Sequence, residues 1–149
     1  MNLKVNQPIL IVEDSHEDYE ATIRAFKKTS LSNPIIRCES GDDALDYLHR
    51  RGIYSDQSKF PTPGIILLDL NLPGSDGRDV LKDIKSHDYL KKIPVVVLTT
   101  SNDERDIDRC YEAGANSYIC KPLNVDGFIR SIQQLKDYWF EIVILPKGE

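Results

Sequence analysis

The chain has 149 residues and a formal net charge of −5, and 40% of its residues are hydrophobic and 29% charged. This length and composition suit one globular domain, which buries about two-thirds of the surface that its unfolded chain exposes. No apolar run approaches the roughly 18–20 residues of a membrane helix, and no signal peptide opens the chain, so we expect a cytoplasmic protein without a membrane partner. Three cysteines without CxxC spacing favour reduced thiols. The acidic balance leaves no basic face, so we also expect no nucleic-acid partner.

Short aliphatic runs alternate with amphipathic stretches of helical period, beginning with a strand at Ile9–Val12 and a helix at Glu17–Thr29. The predicted order continues with strand Ile35–Cys38, helix Asp42–Arg51, a loop over Gly52–Gly64, strand Ile65–Leu68, helix Gly77–Ser86, strand Pro94–Leu98, helix Asp103–Ala113, strand Ser117–Cys120 and helix Val125–Phe140. Because the strands are nearly continuous aliphatic runs, they are expected to be buried on both faces, as in a parallel sheet. The predicted fold class is therefore α/β: a five-stranded, doubly wound, flavodoxin-like sheet with helices on both faces.

Local signals support the helix assignments. Ser15 or Asp14 can cap the first helix, Asn124 can cap the last, and Gly114 can close the fourth. The last helix carries one apolar stripe at three- and four-residue steps, formed by Val125, Phe128, Ile132, Leu135 and Trp139. This stripe predicts that the helix docks on the sheet.

Polar residues follow four of the predicted strands: Glu13-Asp14, Asp69, Thr99-Thr100 and Lys121. Each has a plain structural explanation, since acids open helices, aspartate forms turns, threonine occupies strands and lysine is usually solvated. However, the carboxyl ends of parallel strands meet at one crevice, where ligands bind in this fold class. The conjunction of acid, acid, hydroxyl and cation at one edge predicts a functional site.

The residue types at this edge suit phosphoryl chemistry. A carboxylate such as Asp69 can act as a nucleophile and become an aspartyl-phosphate. Several carboxylates with an added phosphoryl group need counter-charge, because two like charges about 4 Å apart repel by about 4 kcal/mol at an effective dielectric near 20. Lys121 supplies one positive charge, and a hard divalent ion held by Asp14 and Asp69 would supply the rest. Ligation by oxygen alone indicates Mg²⁺ rather than Zn²⁺, and Thr99 can donate a hydrogen bond to a phosphoryl oxygen.

The ordered series of motifs resembles the receiver domain of two-component response regulators from about Ile9 to Leu135. The matching residues are Glu13-Asp14, the segment 67–74 (LLDLNLPG) with Asp76-Gly77, Thr99, Tyr118 and Lys121-Pro122. The resemblance implies that Asp69 accepts a phosphoryl group from a histidine of a sensor kinase. It also implies that Asp14, Asp69 and the backbone carbonyl of Asn71 bind Mg²⁺, that Glu13 contributes through water, and that Lys121 and Thr99 stabilise the phosphoryl group.

The resemblance further implies a switch and a tunable lifetime. In the family, the hydroxyl at the Thr99 position moves toward the phosphoryl group, and the aromatic ring at the Tyr118 position occupies the space that it leaves. Residues at the Asn71 and Ser101 positions tune the lifetime of the acyl phosphate. Thr100 stands where a smaller residue is common, so it is expected to affect that lifetime as well.

Two segments narrow the resemblance to the small response regulators paired with phytochromes, the light-sensing histidine kinases. They are the loop Gly52–Pro63 and the ending Tyr138–Pro146. We therefore divide the chain into a receiver domain at residues 1–137 and an extension at 138–149 that forms a homodimer. The dimer residues are predicted to be Trp139, Phe140, Ile142, Val143, Leu145 and Pro146, and the alternative is that this segment packs on its own chain.

Two other functions compete with this interpretation. Phosphatases of the haloacid-dehalogenase type also use an aspartate nucleophile, a hydroxyl, a lysine and Mg²⁺, but their nucleophile follows the first strand and Asp69 follows the third. A degenerate receiver that acts as a binding scaffold is the other alternative. With the whole chain used by the receiver, we expect a signalling protein without enzyme turnover whose output is a protein–protein contact. The sequence does not identify the kinase or the output partner.

Overall fold

A computed structural model describes residues 7–28, 33–122 and 124–142, with the backbone alone at 125 and 140–142. The strands are β1 (Ile9–Val12), β2 (Ile35–Cys38), β3 (Ile65–Leu68), β4 (Val95–Thr99) and β5 (Ser117–Cys120). The helices are α1 (His16–Lys27), α2 (Gly41–Leu48), α3 (Gly77–Ser86), α4 (Glu104–Ala113) and α5 (Val125–Lys136). A 3₁₀ turn spans Gly52–Ser55, and α5 continues as a π-helical turn over Asp137–Ile142.

The five strands form one parallel sheet in the order β2-β1-β3-β4-β5. The predicted α/β fold is therefore confirmed. In the central pair, Val12 of β1 lies opposite Leu68 of β3, so these strands end level with each other. The order of strands reverses between β1 and β3, which is the switch point where such sheets bind ligands at their carboxyl edge.

Two apolar layers cover the sheet, one on each face. One layer joins β-strand residues to α2, α3 and α4, with Tyr47, Leu81 and Ile84 among its members. The other joins the sheet to α1 and α5 through Phe26, Phe128, Ile132, Leu135 and Trp139. The strands β1, β3 and β4 are buried along their whole length. Within the described residues, no helix has the length and apolar character needed to cross a bilayer.

The predicted caps are present at the helix ends. The Oγ atom of Ser15, rather than Asp14, accepts the N–H of Asp18 at the start of α1. Asn124 caps α5 through the N–H of Gly127. Gly114 closes α4 with φ 108°, in the left-handed region that favours glycine.

Some element bounds differ from the prediction, for local reasons. Helix α2 ends at Leu48 instead of Arg51, because Arg50 takes a left-handed φ of 58°. Its guanidinium then donates to the carbonyl of Phe60 and to the hydroxyl of Thr62, which anchors the loop predicted over Gly52–Gly64. Strand β4 begins at Val95 and runs through Thr99, one residue later than predicted at each end.

Trp139 packs within its own chain. Its side chain is only 8% exposed and belongs to the layer that α1 and α5 form with the sheet. The described members of the α5 stripe are all buried, so the stripe prediction is confirmed for Trp139, and its predicted place in a dimer interface stays a prediction. Of the other predicted dimer residues, Phe140 and Ile142 are described in their backbone alone, and Val143, Leu145 and Pro146 lie outside the described residues.

Candidate functional site

The carboxyl edge of the sheet brings Lys121 to three carboxylates. Its Nζ atom lies 2.5 Å from Oε1 of Glu13, 2.9 Å from Oδ2 of Asp69 and 2.8 Å from Oδ2 of Asp18. Backbone hydrogen bonds fix these positions, since Asp69 N–H donates to the carbonyl of Val12 and Lys121 N–H to that of Thr99. Glu13, Asp69 and Lys121, three of the strand-end residues singled out in the sequence, thus meet at one place.

Lys121 and its three carboxylate partners differ in burial. Glu13, Asp69 and Lys121 are each less than 10% exposed, and their ion pairs are therefore shielded from water. Asp18 is more open, with 38% of its side chain exposed. Buried charges persist only when they are paired and hydrogen-bonded, and the three N–H groups of Lys121 meet that condition here.

Burial and pairing shift the pKa of each buried group. Burial raises the pKa of Glu13 to about 7, although hydrogen bonding to Lys121 opposes the rise. Burial would also raise the pKa of Asp69, but the charge and hydrogen bond of Lys121, with hydrogen bonds from Glu13 and the N–H of Asn71, lower it overall. Burial would lower the pKa of Lys121, whereas its bonds to Asp18 and Glu13 raise it above its ordinary value. Asp69 is therefore the carboxylate kept ionised, as a nucleophile must be.

The same edge has the donors that a hard divalent cation needs. Carboxylate oxygens of Glu13, Asp14 and Asp69 lie within 4.8 Å of one another. Asp14 is exposed, so an ion could reach it from solvent. Arg37 holds this segment in place by donating to the backbone carbonyls of Glu13 and Asp14. An all-oxygen set with excess negative charge fits Mg²⁺ or Mn²⁺.

Thr99 presents a buried hydroxyl to this edge. The residue is 0% exposed, and in the part of the chain that the structure describes its Oγ1 has no hydrogen-bond partner. Leaving a buried hydroxyl unpaired costs about 1–3 kcal/mol. The Thr99 hydroxyl is therefore available to donate a hydrogen bond to a group that enters the site during a reaction.

Most of the residues predicted to form the switch and to tune the lifetime lie at the loop after β4, whereas Asn71 lies in the loop after β3. The hydroxyl of Tyr118 donates to the backbone carbonyl of Ser101 at 2.9 Å. The hydroxyl of Ser101 donates to Asp106 on α4 at 2.7 Å, and Thr100 is exposed. Asn71 is also exposed, and its N–H donates to Oδ1 of Asp69 at 3.2 Å.

The backbone at Gly77 packs closely against the backbone of Asp69 and Leu70. The N–H of Gly77 donates to the carbonyl of Leu70 at 3.0 Å. A Cβ atom at this position would lie 2.3 Å from the carbonyl oxygen of Asp69. Only glycine therefore allows α3 to begin this close to the end of β3.

Asp18 is a site residue that the sequence analysis missed. It lies in the first turn of α1, where an acid is explained by the helix dipole alone. Its contact with Lys121, which is 103 positions away, leaves no local signal in the sequence.

Comparisons with known proteins agree with this geometry. The family described as the response regulator receiver domain matches residues 9–133. The response regulator Rcp1 of Synechocystis sp. is 41% identical over 138 residues, which cover 93% of this chain and 92% of Rcp1. The phosphorylated cyanobacterial phytochrome response regulator RcpA has a similar structure, with a TM-score of 0.90 and 36% identity over 95% of this chain and 99% of RcpA. The Mn²⁺-bound form of Rcp1 gives a TM-score of 0.89 and 40% identity over 95% and 99% of the two chains.

Proposed function

The chain belongs to the response regulator receiver domain family, and on this premise we propose that Asp69 accepts a phosphoryl group from a histidine of a phytochrome-type sensor kinase. The proteins of this family are signalling proteins of two-component systems. The observation that carries the proposal is the meeting of Asp69 with Lys121 and Glu13 at one sheet edge. The similarity to RcpA, a phytochrome response regulator, supports the kinase class.

The transfer is an in-line displacement at phosphorus. An oxygen of the ionised Asp69 carboxylate forms a new O–P bond while the P–N bond to the kinase histidine breaks, and the electron pair of that bond stays on the imidazole nitrogen. Little covalent work falls to the other residues, so positioning and charge stabilisation dominate. Lys121 and Thr99 are placed to donate hydrogen bonds to the phosphoryl oxygens.

Receiver domains bind a divalent metal, and for this chain we propose Mg²⁺. Asp14, Asp69 and the backbone carbonyl of Asn71 would hold the ion, with Glu13 contributing through water. The ion would neutralise negative charge on the phosphoryl oxygens. The oxygen-only donors and the excess of carboxylates over Lys121 support this assignment. The Mn²⁺-bound form of Rcp1 shows that a similar protein takes up a divalent ion.

The signal leaves the site through Thr99 and Tyr118 in our proposal. Once phosphorylated, Asp69 gives the unpaired Thr99 hydroxyl its missing partner. Movement of Thr99 opens space beside Tyr118, whose hydroxyl bonds the loop at Ser101. The new anion thereby favours one of two packings at the surface of α4 and β5. In this scheme Asn71, Thr100 and Ser101 set how long the acyl phosphate lasts.

Phosphotransfer from radiolabelled kinases tests the assignment of Asp69. Wild-type protein is expected to gain label from a phytochrome kinase to an extent that differs between light and dark, and Asp69→Asn is expected to gain none. Asp88→Asn, at an exposed aspartate that pairs with Lys91, serves as the matched control and should be labelled like wild type. Label on the Asp69→Asn variant, or steady turnover of a small phosphate ester, would overturn the proposal.

We also propose that the extension at 138–149 joins two copies of the chain. Tyr138 is 52% exposed beside the buried Trp139, and the sequence after it is rich in hydrophobic residues. A chain that ends at Trp139 keeps the buried indole and removes the rest of the predicted interface. Sedimentation should give a dimer for the full chain and a monomer for the shortened one. Equal masses, or a monomeric full chain, would contradict the dimer.

The cellular setting is likewise a proposal. All three cysteines are free thiols, and Cys38 and Cys110 are buried. Reduced thiols without disulfides support the predicted cytoplasmic location. A sensor kinase that presents its phosphohistidine in the same compartment would be the partner there.

A further inference from the structure

A second cluster of metal-ligating residues lies far from Asp69 in the fold. His49 follows α2, Asp83 lies in the last turn of α3, and His87 follows that helix directly. One ligand atom from each residue lies within 4.8 Å of the other two. Because the helices run antiparallel to the strands, their carboxyl ends meet at the amino edge of the sheet, opposite the phosphoryl site.

The side chains of this cluster already point at one another. Nε2 of His49 lies 2.6 Å from Oδ1 of Asp83, and Nδ1 of His87 lies 3.5 Å from the same oxygen. The two imidazole rings are 4.7 Å apart between centroids. Ligand atoms around a tetrahedral Zn²⁺ are about 3.3 Å apart, so small rotations would bring all three into place.

Outer contacts orient both histidines. Nδ1 of His49 lies 2.5 Å from the hydroxyl of Tyr89, which can donate to that nitrogen or accept from it. In the metal-bound state Nδ1–H of His49 would donate to Tyr89, and Nε2 would exchange its hydrogen bond with Asp83 for the metal. Such a partner commonly fixes the tautomer of metal-bound histidine. Nδ1 of His87 lies 2.8 Å from the backbone carbonyl of Asp83, and it would give up that hydrogen bond to bind the ion.

We propose that His49, Asp83 and His87 bind a divalent transition ion such as Zn²⁺, with water completing its coordination. Two imidazoles and one carboxylate favour Zn²⁺ over Mg²⁺, whose preferred ligands are all oxygen. His87 and Asp83 are 38% and 30% exposed, which leaves an entry path. His49 is 10% exposed and supplies a rigid ligand. The ion would link the ends of α2 and α3.

Titration calorimetry with Zn²⁺ at saturating Mg²⁺ tests the site, because Mg²⁺ occupies the oxygen ligands at the phosphoryl site. Wild type should bind one Zn²⁺ per chain through this cluster, and His87→Gln should weaken that binding by about tenfold or more. The control is His16→Gln, because His16 is an exposed histidine outside this cluster that pairs with Glu20. Its affinity should equal that of wild type.

Histidine ring signals in NMR spectra identify the ligands directly. Zn²⁺ is expected to shift the signals of His49 and His87 and leave those of His16 unchanged. Tyr89→Phe keeps all three ligands and should weaken binding less than His87→Gln does. Because His87 is partly exposed, its variant is expected to melt like apo wild type, which separates lost binding from lost folding. Equal affinity in wild type and His87→Gln, or shifts confined to His16, would overturn the proposal.

Discussion

The ammonium nitrogen of Lys121 lies 2.8 Å from Oδ2 of Asp18, although the two residues are 103 positions apart. Together with Glu13 and Asp69, Asp18 takes up the third N–H of the ammonium. A phosphoryl oxygen on Asp69 must therefore share the Lys121 ammonium with these carboxylates or displace one of them from it. Asp18 is the most exposed of the three, so water can most easily replace Lys121 as its partner.

Asp18→Asn should lower the free energy of unfolding of the metal-free, unphosphorylated protein by about 1–2 kcal/mol, because the buried ammonium loses a charged partner. Urea denaturation measures the change. Glu17→Gln removes an exposed acid from the same helical turn and controls for the helix dipole. We expect the control to change stability by less than about 0.5 kcal/mol. Equal losses in the two variants would show that the Lys121 contact contributes nothing.

Thr99→Val should separate stability from signalling. Oγ1 has no partner among the described residues. Replacing the hydroxyl with a methyl group is therefore expected to leave the free energy of unfolding unchanged or to raise it by up to about 1 kcal/mol. The same change should abolish the shift of α4 and β5 amide signals on phosphorylation. Thr22→Val is the control, since the buried Thr22 hydroxyl donates to the carbonyl of Asp18 at 2.8 Å. That variant should lose stability, and a larger loss in Thr99→Val would contradict the prediction.

Asp106 should give a stability contribution that depends on pH. Arg78 donates to both of its oxygens at 2.7 Å, and this pairing, with the hydroxyl of Ser101, lowers its pKa from 3.8 to about 2. A carboxyl with a lowered folded-state pKa stabilises the fold fully above its unfolded pKa, and the contribution is lost as pH falls toward the folded value. At pH 6 the free energy of unfolding of wild type should exceed that of Asp106→Asn by about 1 kcal/mol.

That difference should shrink as the pH falls from about 4 toward about 2, in urea denaturation at several pH values. Asp108→Asn, at an exposed position of α4, provides the comparison. The difference in free energy of unfolding between Asp108→Asn and wild type is expected to stay constant over the same pH range. A pH-independent gap for Asp106→Asn would mean that the Arg78 pairing does not set the stability.

Gly77→Ala should damage the site through the backbone. The added Cβ would lie 2.3 Å from the carbonyl oxygen of Asp69, so the turn must shift at a cost of about 1–3 kcal/mol. Phosphorylation by a small phosphodonor should slow as well, because Asp69 moves. Gly52→Ala is the control, since its φ is +60° with no atom within 4 Å of the new Cβ. It should cost about 1 kcal/mol and leave phosphorylation unchanged.

The sequence was sufficient for the sheet and for most of the phosphoryl site. Strands β1 and β3 were predicted with their observed bounds, because an aliphatic run that stops at an acid marks both a buried strand and its end. The same rule located Asp69 without any coordinates, and Lys121 was located by its place directly after the fifth predicted strand. Parallel pairing then placed the strand ends together, which is a property of the fold rather than of any one residue.

The missed features depend on packing between distant segments. His49 and Asp83 are 34 positions apart, and nothing near either residue indicates the other. The end of α2 was misjudged because a left-handed Arg50 has no local signal comparable to glycine. For Trp139, two patterns competed, the stripe of α5 and the hydrophobic ending, and only packing decides between them.

Glu13 also has a consequence for strand alignment. The four residues of β1 are all aliphatic and buried, so they offer no polar group that would resist sliding along β2 and β3. A two-residue slip toward the amino edge of the sheet keeps the same faces of the strand, yet it would draw the Glu13 carboxylate away from Lys121 and into hydrocarbon. The acid that helps form the phosphoryl site thus also opposes a slip of the central strand in that direction.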